Sequence, residues 1–340
     1  MVDKPEIKSV VVNAVNVTSQ MNAAIASVTF SDVYGVSTVD MELVTSQIVT
    51  PPKIGDFIEI KFGYAGSTEL INTGTMKVDD VVRQYGPDVT IIGARAYDYG
   101  IGLAAKGKIL YSNSSLSAIV QSIATRFSLT LVTSGISTAI AGTRDTLGTG
   151  FVSVESDESW LAVLNKELAD TYGYALNLRL GELNFENYRT LDQLAPVGVI
   201  TSTGMIRQPN FRESLASFSS AIAKSKNGYT ITVTDSNITQ VSNALDLSAE
   251  GFYDSINSAE LRALGALIAA NKDRHVGRVR VPGSITLLAG KTVSVSPAGT
   301  IDDGIYAIDQ AVHTVSKQSG WLTDLTLRKT YPDNYLTNVT

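Results

Sequence analysis

Gly55-Asp56-Phe57-Ile58-Glu59-Ile60 leads to Gly74-Thr75-Met76-Lys77-Val78-Asp79-Asp80-Val81-Val82 and then to Val89-Thr90-Ile91-Ile92. Far along the same chain, Gly290-Lys291-Thr292-Val293-Ser294-Val295 leads to Gly304-Ile305-Tyr306-Ala307-Ile308-Asp309-Gln310-Ala311-Val312 and then to Leu322-Thr323-Asp324-Leu325. Ile58-Glu59-Ile60, Met76-Lys77-Val78 and Val293-Ser294-Val295 alternate apolar and polar side chains, the period of a strand with one wet face. In both series a glycine opens the first segment, another opens the second, and an aspartate follows the second glycine by five residues. Two unrelated hairpins can share glycines and alternation. The matched aspartates, Asp79 and Asp309, favour duplication of one β unit.

Working outward, residues 7–100 read as strands almost throughout: Ile7 to Val12, Ala24 to Phe30 and Val39 to Val44 precede the first series, with Pro51-Pro52 as a stop. Short strands with no crossover helix between them predict an antiparallel barrel or sandwich, and closure, which removes exposed edges, favours the barrel. The middle changes period. Leu116, Ile119, Val120, Ile123 and Phe127 share one helical face behind a serine cap, and a second helix carries Leu161, Leu164, Leu168 and Tyr172 and stops at Gly173. A hairpin around Gly181 follows. The expected organisation is mainly β (α+β): a first tube-like antiparallel β-barrel over 1–105, a small α+β module over 106–205, and a second tube-like barrel over 206–330. A helix near 258–271 interrupts that second barrel. The tail 331–340 shows no periodicity and is expected to be loose or contact-dependent.

The chain has 340 residues, 44% of them hydrophobic and 18% charged, which fits two or three packed domains and not a disordered chain. It has no cysteine, so disulfides, thiolate metal sites and thiol nucleophiles are excluded. A formal charge of -6 with no basic run argues against specific nucleic-acid binding. No basic and apolar leader is seen at the N-terminus, and no apolar run reaches the roughly 18 residues of a membrane-spanning helix, so no stable membrane insertion is expected.

Chemistry-bearing residues are sparse. The two histidines, His275 and His313, stand in no metal-ligand spacing. Glu155, Asp157 and Glu158 offer carboxylates of the kind a polysaccharide hydrolase pairs, but they stand where a helix begins, a position that favours acids without any chemistry. Asp79-Asp80 and Asp302-Asp303 lack the close series of oxygen ligands calcium takes. No phosphate-cradling glycine loop or nucleophile elbow is present. The reading is of no enzyme, with no catalytic, cofactor-binding or metal residue. Its alternative is a cell-wall polysaccharide hydrolase or carbohydrate-binding β protein, weakened by a supply of only two tryptophans. Asp32, Tyr34, Gly35, Tyr64 and Gly66, in two tyrosine-glycine loops, are the candidate interface residues.

The run from Pro51 to Tyr64 with Gly74 to Val81, the segment from Ser156 to Tyr174 with Gly181 to Phe185, and Leu288 to Val293 with Asp303-Gly304-Ile305-Tyr306 and His313 resemble, in order, the late control gene D family. These are the baseplate hub proteins of contractile phage tails, related to the N-terminal part of type VI secretion spikes. The resemblance implies a homotrimer adapting a six-fold tail tube protein to a trimeric central spike protein. Tape-measure and other baseplate proteins are further partners it implies. It places the chain, made in the host cytoplasm, in a virion baseplate or another injection particle. An acidic conduit would let DNA pass without holding it.

Overall fold

The computed structural model describes residues 4–34, 40–46, 51–85, 88–96, 102–103, 105–106, 109–112, 114–139, 141, 143–144, 150–154, 159–206, 209–215, 218–239, 242–296, 302–331 and 335–340. Six strands come first: β1 (Pro5–Val12), β2 (Ile25–Val33), β3 (Asp40–Ser46), β4 (Phe57–Tyr64), β5 (Met76–Gln84) and β6 (Val89–Ala96). The middle module holds α1 (Leu116–Arg126), a helical run over 160–172 and the hairpin of β7 (Tyr174–Arg179) and β8 (Glu182–Asn187). The chain continues through β9 (Val199–Thr201), β10 (Asn210–Glu213), β11 (Ser220–Ser225), β12 (Thr230–Asp235) and α2 (Ile256–Asn271). It closes with β13 (His275–Pro282), β14 (Thr292–Ser296), β15 (Gly304–Ser316), β16 (Gly320–Lys329) and β17 (Tyr335–Val339).

The pairing order is β1-β4-β5-β6-β3-β2 in the first unit and β9-β14-β15-β16-β13-β10 in the second. One strand order therefore occurs twice; the single departure is that β9 runs parallel to β14 whereas β1 runs antiparallel to β4. Alternation puts Phe30, Leu43, Ile58, Ile60, Phe62 and Ile92 inside the first unit and Val279, Val293, Val295, Tyr306 and Leu327 inside the second. Each such side chain contributes about 1.5–3 kcal/mol by leaving water.

The two units are one sheet. Over residues 304–307 β15 pairs with β14, and over 310–316 the same edge pairs with β2. Edge removal is thus achieved for β2 by the other unit and not by hydrogen-bonded closure onto β1.

The middle module packs α1 and the second helical run on β7 and β8, with Leu116, Ile119, Ile123, Leu164, Leu176 and Phe185 in its core. Ser115 Oγ accepts from the Ala118 N–H at 3.2 Å and Ser159 Oγ from the Ala162 N–H at 3.2 Å, satisfying donors that a helix start leaves unpaired.

Two boundaries need correction. Residues 206–330 are not one barrel: β11, β12 and α2 leave it and build a separate layer in which Ala221, Ile231 and Val233 face Ala263, Leu264 and Leu267. Helix α2 begins at Ile256, because Ser255 Oγ accepts from the Ser258 N–H at 3.1 Å. The tail is a strand too, since β17 pairs antiparallel with β12 from Tyr335↔Asp235 to Val339↔Ile231. Its side chains are mostly exposed, so backbone pairing chiefly holds it, helped by Tyr335 beneath the Arg189 guanidinium and by Thr337 donating to Glu260 Oε1 at 2.8 Å, and no apolar period announces it.

Candidate interaction surfaces

The matched aspartates mark matched β-bulges. The β5–β6 register skips between Val78 and Asp80, and the β15–β16 register between Ile308 and Gln310, leaving Asp79 and Asp309 as the extra residues. The Gly55 N–H donates to the Val78 carbonyl at 2.8 Å and the Val78 N–H to the Asp56 carbonyl at 2.9 Å. At the corresponding place the Gly290 N–H donates to the Ile308 carbonyl at 2.8 Å and the Ile308 N–H to the Lys291 carbonyl at 2.8 Å. An arginine one strand away completes each copy: Arg95 lies 2.9 Å from Asp79, and Arg328 lies 3.5 Å from Asp309.

The two ion pairs differ in surroundings. Arg95 and Asp79 are exposed, where such a pair contributes about 0–1 kcal/mol. Arg328 is buried, donates to Asp192 at 2.8 Å and lies 4.9 Å from the Tyr188 ring, so it ties the second unit to the middle module. Burial pushes the Asp309 carboxyl up to about 6 against the pull of Arg328. Burial also opposes the Arg328 charge, but Asp309 and Asp192 more than offset it and hold its pKa above the ordinary value.

The candidate interface residues turn out to face mostly inward. Asp32 is on β2, not in a loop, and is fully buried. It accepts from Arg179 Nη1 at 2.9 Å, from the Ala289 N–H at 3.0 Å and from Asn177 Nδ2 at 3.2 Å, joining the first unit, the middle module and the second unit at one carboxylate. Its pKa is raised by burial, with Arg179 pulling the other way. The Tyr34 N–H donates to the Asp309 carbonyl at 2.7 Å, and the Tyr34 ring covers Gly290 so closely that a Cβ there would meet it at 2.6 Å. Tyr64 donates its hydroxyl proton to the Gly283 carbonyl at 2.7 Å and sets its ring 4.9 Å from Trp321. Gly66 stands in an open turn, and Gly35 lies outside the described residues.

Both histidines are internal. His313 Nδ1 lies 3.0 Å from Thr323 Oγ1 and accepts from Trp321 Nε1 at 3.4 Å; burial pushes its pKa down to about 4, which keeps the ring neutral. His275 Nε2 lies 3.1 Å from Asp302 Oδ1 and 3.2 Å from Tyr306 Oη. Among the described residues no group of three or more His, Asp or Glu is placed to hold a metal ion. Glu155, Asp157 and Glu158 lie outside the described residues. Sequence reasoning missed Arg179, Tyr188, Asp192 and Arg328, whose partners are brought to them only by the tertiary fold. For Arg328 a signal existed: Arg95 and Arg328 hold the same place in the two copies.

No family model matches the chain. A curated "Probable baseplate hub protein" of Escherichia phage 186 is 28% identical over 178 residues, a match taking in 51% of this chain and 43% of the relative. Less than half of that relative's length is thus represented. The fold is shared end to end with a tail protein of Neisseria meningitidis MC58, at a TM-score of 0.70 and 12% identity over 97% of this chain and 99% of that one. It is shared likewise with the 43 kDa tail protein of prophage MuSo2 from Shewanella oneidensis, at a TM-score of 0.68 and 15% identity over 98% of this chain and 100% of that one. An Escherichia coli component of the type VI secretion system gives a TM-score of 0.59 at 9% identity over 97% of this chain and 78% of that one. No helix among the described residues is long and apolar enough to cross a membrane.

Proposed function

We propose that this chain is a structural baseplate hub of a contractile phage tail or related injection machine. It acts without enzymatic chemistry, as a homotrimer that adapts a six-fold tail tube to a three-fold central spike. The observation that carries the reading is the repeated unit: six strands in one order, with the same bulge, the same glycine hydrogen bonds and the same Asp–Arg pair, occur twice and join edge to edge. Three chains then present six similar units, which is how a three-fold ring meets a six-fold one. The sequence match to a baseplate hub protein and the fold shared with tail and type VI secretion proteins support the same reading.

In this role the partners are a tail tube protein on one face and a spike protein on the other, with tape-measure and other baseplate proteins nearby, in the virion baseplate or injection particle. The Asp32 and Arg328 contacts tie both units to the middle module, which suits an adaptor. Cryo-EM of the particle carrying this chain tests the proposal. Three-fold density of this fold between a six-fold tube and a spike is the expected result, and density elsewhere in the particle, or in no particle, refutes it.

A further inference from the structure

The joint between the two units inside one chain implies the joint between chains. Beyond the Asp309 bulge, β15 pairs with β2 in the register Gln310↔Val33, Val312↔Ser31 and Thr314↔Thr29. The copy of β15 in the first unit is β5, and among the described residues its matching stretch, Asp80 to Gln84, pairs only with β6. The copy of β2 in the second unit is β10, which among the described residues pairs only with β13. Aligning the copies through their shared registers puts Phe211 where Phe30 is, Glu213 where Asp32 is, and Leu215 where Tyr34 is. Each unit thus displays one half of a joint whose complete form the chain already contains.

We propose that the outer edge of β5 beyond Asp79 pairs antiparallel with the outer edge of β10 in a second copy of this chain, in the register Asp80↔Ser214, Val82↔Arg212 and Gln84↔Asn210. This rests on the trimeric hub reading and specifies its subunit contact. Charge fits the register: Asp80 stands diagonal to Arg212, and Arg83 diagonal to Glu213, within reach of long side chains. Space fits as well. Gly290 is covered by Tyr34, whereas its copy Gly55 has nothing within 4 Å of a Cβ position, and Leu215, the copy of Tyr34, is 67% exposed. The second copy's Leu215 closes over Gly55. The contact is head-to-tail, so a ring closes when the turn per unit is a sixth of a circle.

The Tyr34 N–H bond to the Asp309 carbonyl fixes which residues point across the joint: Asp309, Ala311 and His313, hence Asp79, Val81 and Arg83 in the other copy. Val82 and Arg212 then form a non-hydrogen-bonded pair with Cα atoms about 4.5 Å apart, within disulfide range. The full chain has no cysteine, so V82C/R212C oxidised in the trimer should give bands of two and three chains that collapse on reduction. V82C/N210C, shifted by one pleat, should stay uncrosslinked. A second variant, Arg83→Pro, removes an N–H from the open edge without touching the β6 ladder and should leave a folded monomer. Trimers by light scattering that give no V82C/R212C bond, or that survive Arg83→Pro, overturn the joint and leave the hub reading intact. A wild-type chain that stays single, alone and in particles, overturns both.

Discussion

Replacing Asp309 by Asn removes a titration and keeps the shape of the side chain at the bulge. The unfolded carboxyl ionises near its ordinary 3.8, the folded one at about 6. Between those values the folded chain holds a proton that the unfolded chain has released, so wild-type stability falls as pH rises through the window and levels off above it. A shift of about two units at 1.36 kcal/mol each is worth about 3 kcal/mol. His313 contributes with the opposite sign in an overlapping window: its folded pKa of about 4 lies below the ordinary 6.5, so its stabilisation is complete above 6.5 and is lost as pH falls toward 4. That contribution is also about 3 kcal/mol, and in the wild type the two largely cancel. Asp309→Asn exposes the histidine alone. Urea unfolding followed by the fluorescence of buried Trp321 should show the variant gaining about 3 kcal/mol on the wild type between about pH 4 and pH 7. Parallel stability curves for the two proteins across that range would refute both the raised carboxyl and its assigned cause.

The converse substitution, His313→Gln, leaves the Asp309 titration alone and should gain stability on acidification from about pH 6.5 to 4, where the wild type stays nearly level, measured by the same unfolding curves. Arg179→Met strands the buried Asp32 carboxylate and should cost about 3–5 kcal/mol at neutral pH, read as a drop in urea midpoint. The cost should shrink in acid, because a protonated Asp32 needs no counter-charge. Gly265→Ala drives a methyl to 2.5 Å from the Tyr172 backbone, where α2 crosses the second helical run; a loss of about 3 kcal/mol in thermal or urea unfolding is expected. Ser255→Ala removes the α2 cap and should cost about 1 kcal/mol, visible as earlier amide exchange in the first turn of that helix.

The parts of the fold visible in the sequence were those with a period. Ile58-Glu59-Ile60 and Val293-Ser294-Val295 alternate because one face is buried and the other wet, and Leu116 to Phe127 repeats at helical spacing for the same reason. The aspartates at 79 and 309 were legible as a coincidence, and the structure supplies its cause, a bulge that needs one extra residue. What stayed hidden depends on contacts between distant segments. Nothing near Asp32 in the chain announces Arg179, and β17 has too few buried side chains to show a pattern. The strands β11 and β12 look like those of the second unit locally; only pairing sends them to another sheet. Tyr34 and Tyr64 read as loop tyrosines because loops carry partners, yet each reaches back into the other unit of its own chain.

The single strand β15, shared between the two units, also sets how the molecule carries load. Tension that drags one unit past the other along β15 strains the seven residue pairs from Gln310↔Val33 to Ser316↔Ser27 together, in shear, and cannot peel them one at a time. The Asp309 bulge sits at the end of that row, and the Asp32 carboxylate bolts its near end to Arg179 and Ala289. In the proposed hub, a pull along β15 would therefore load this row of backbone pairs together before it could part the two units of one chain.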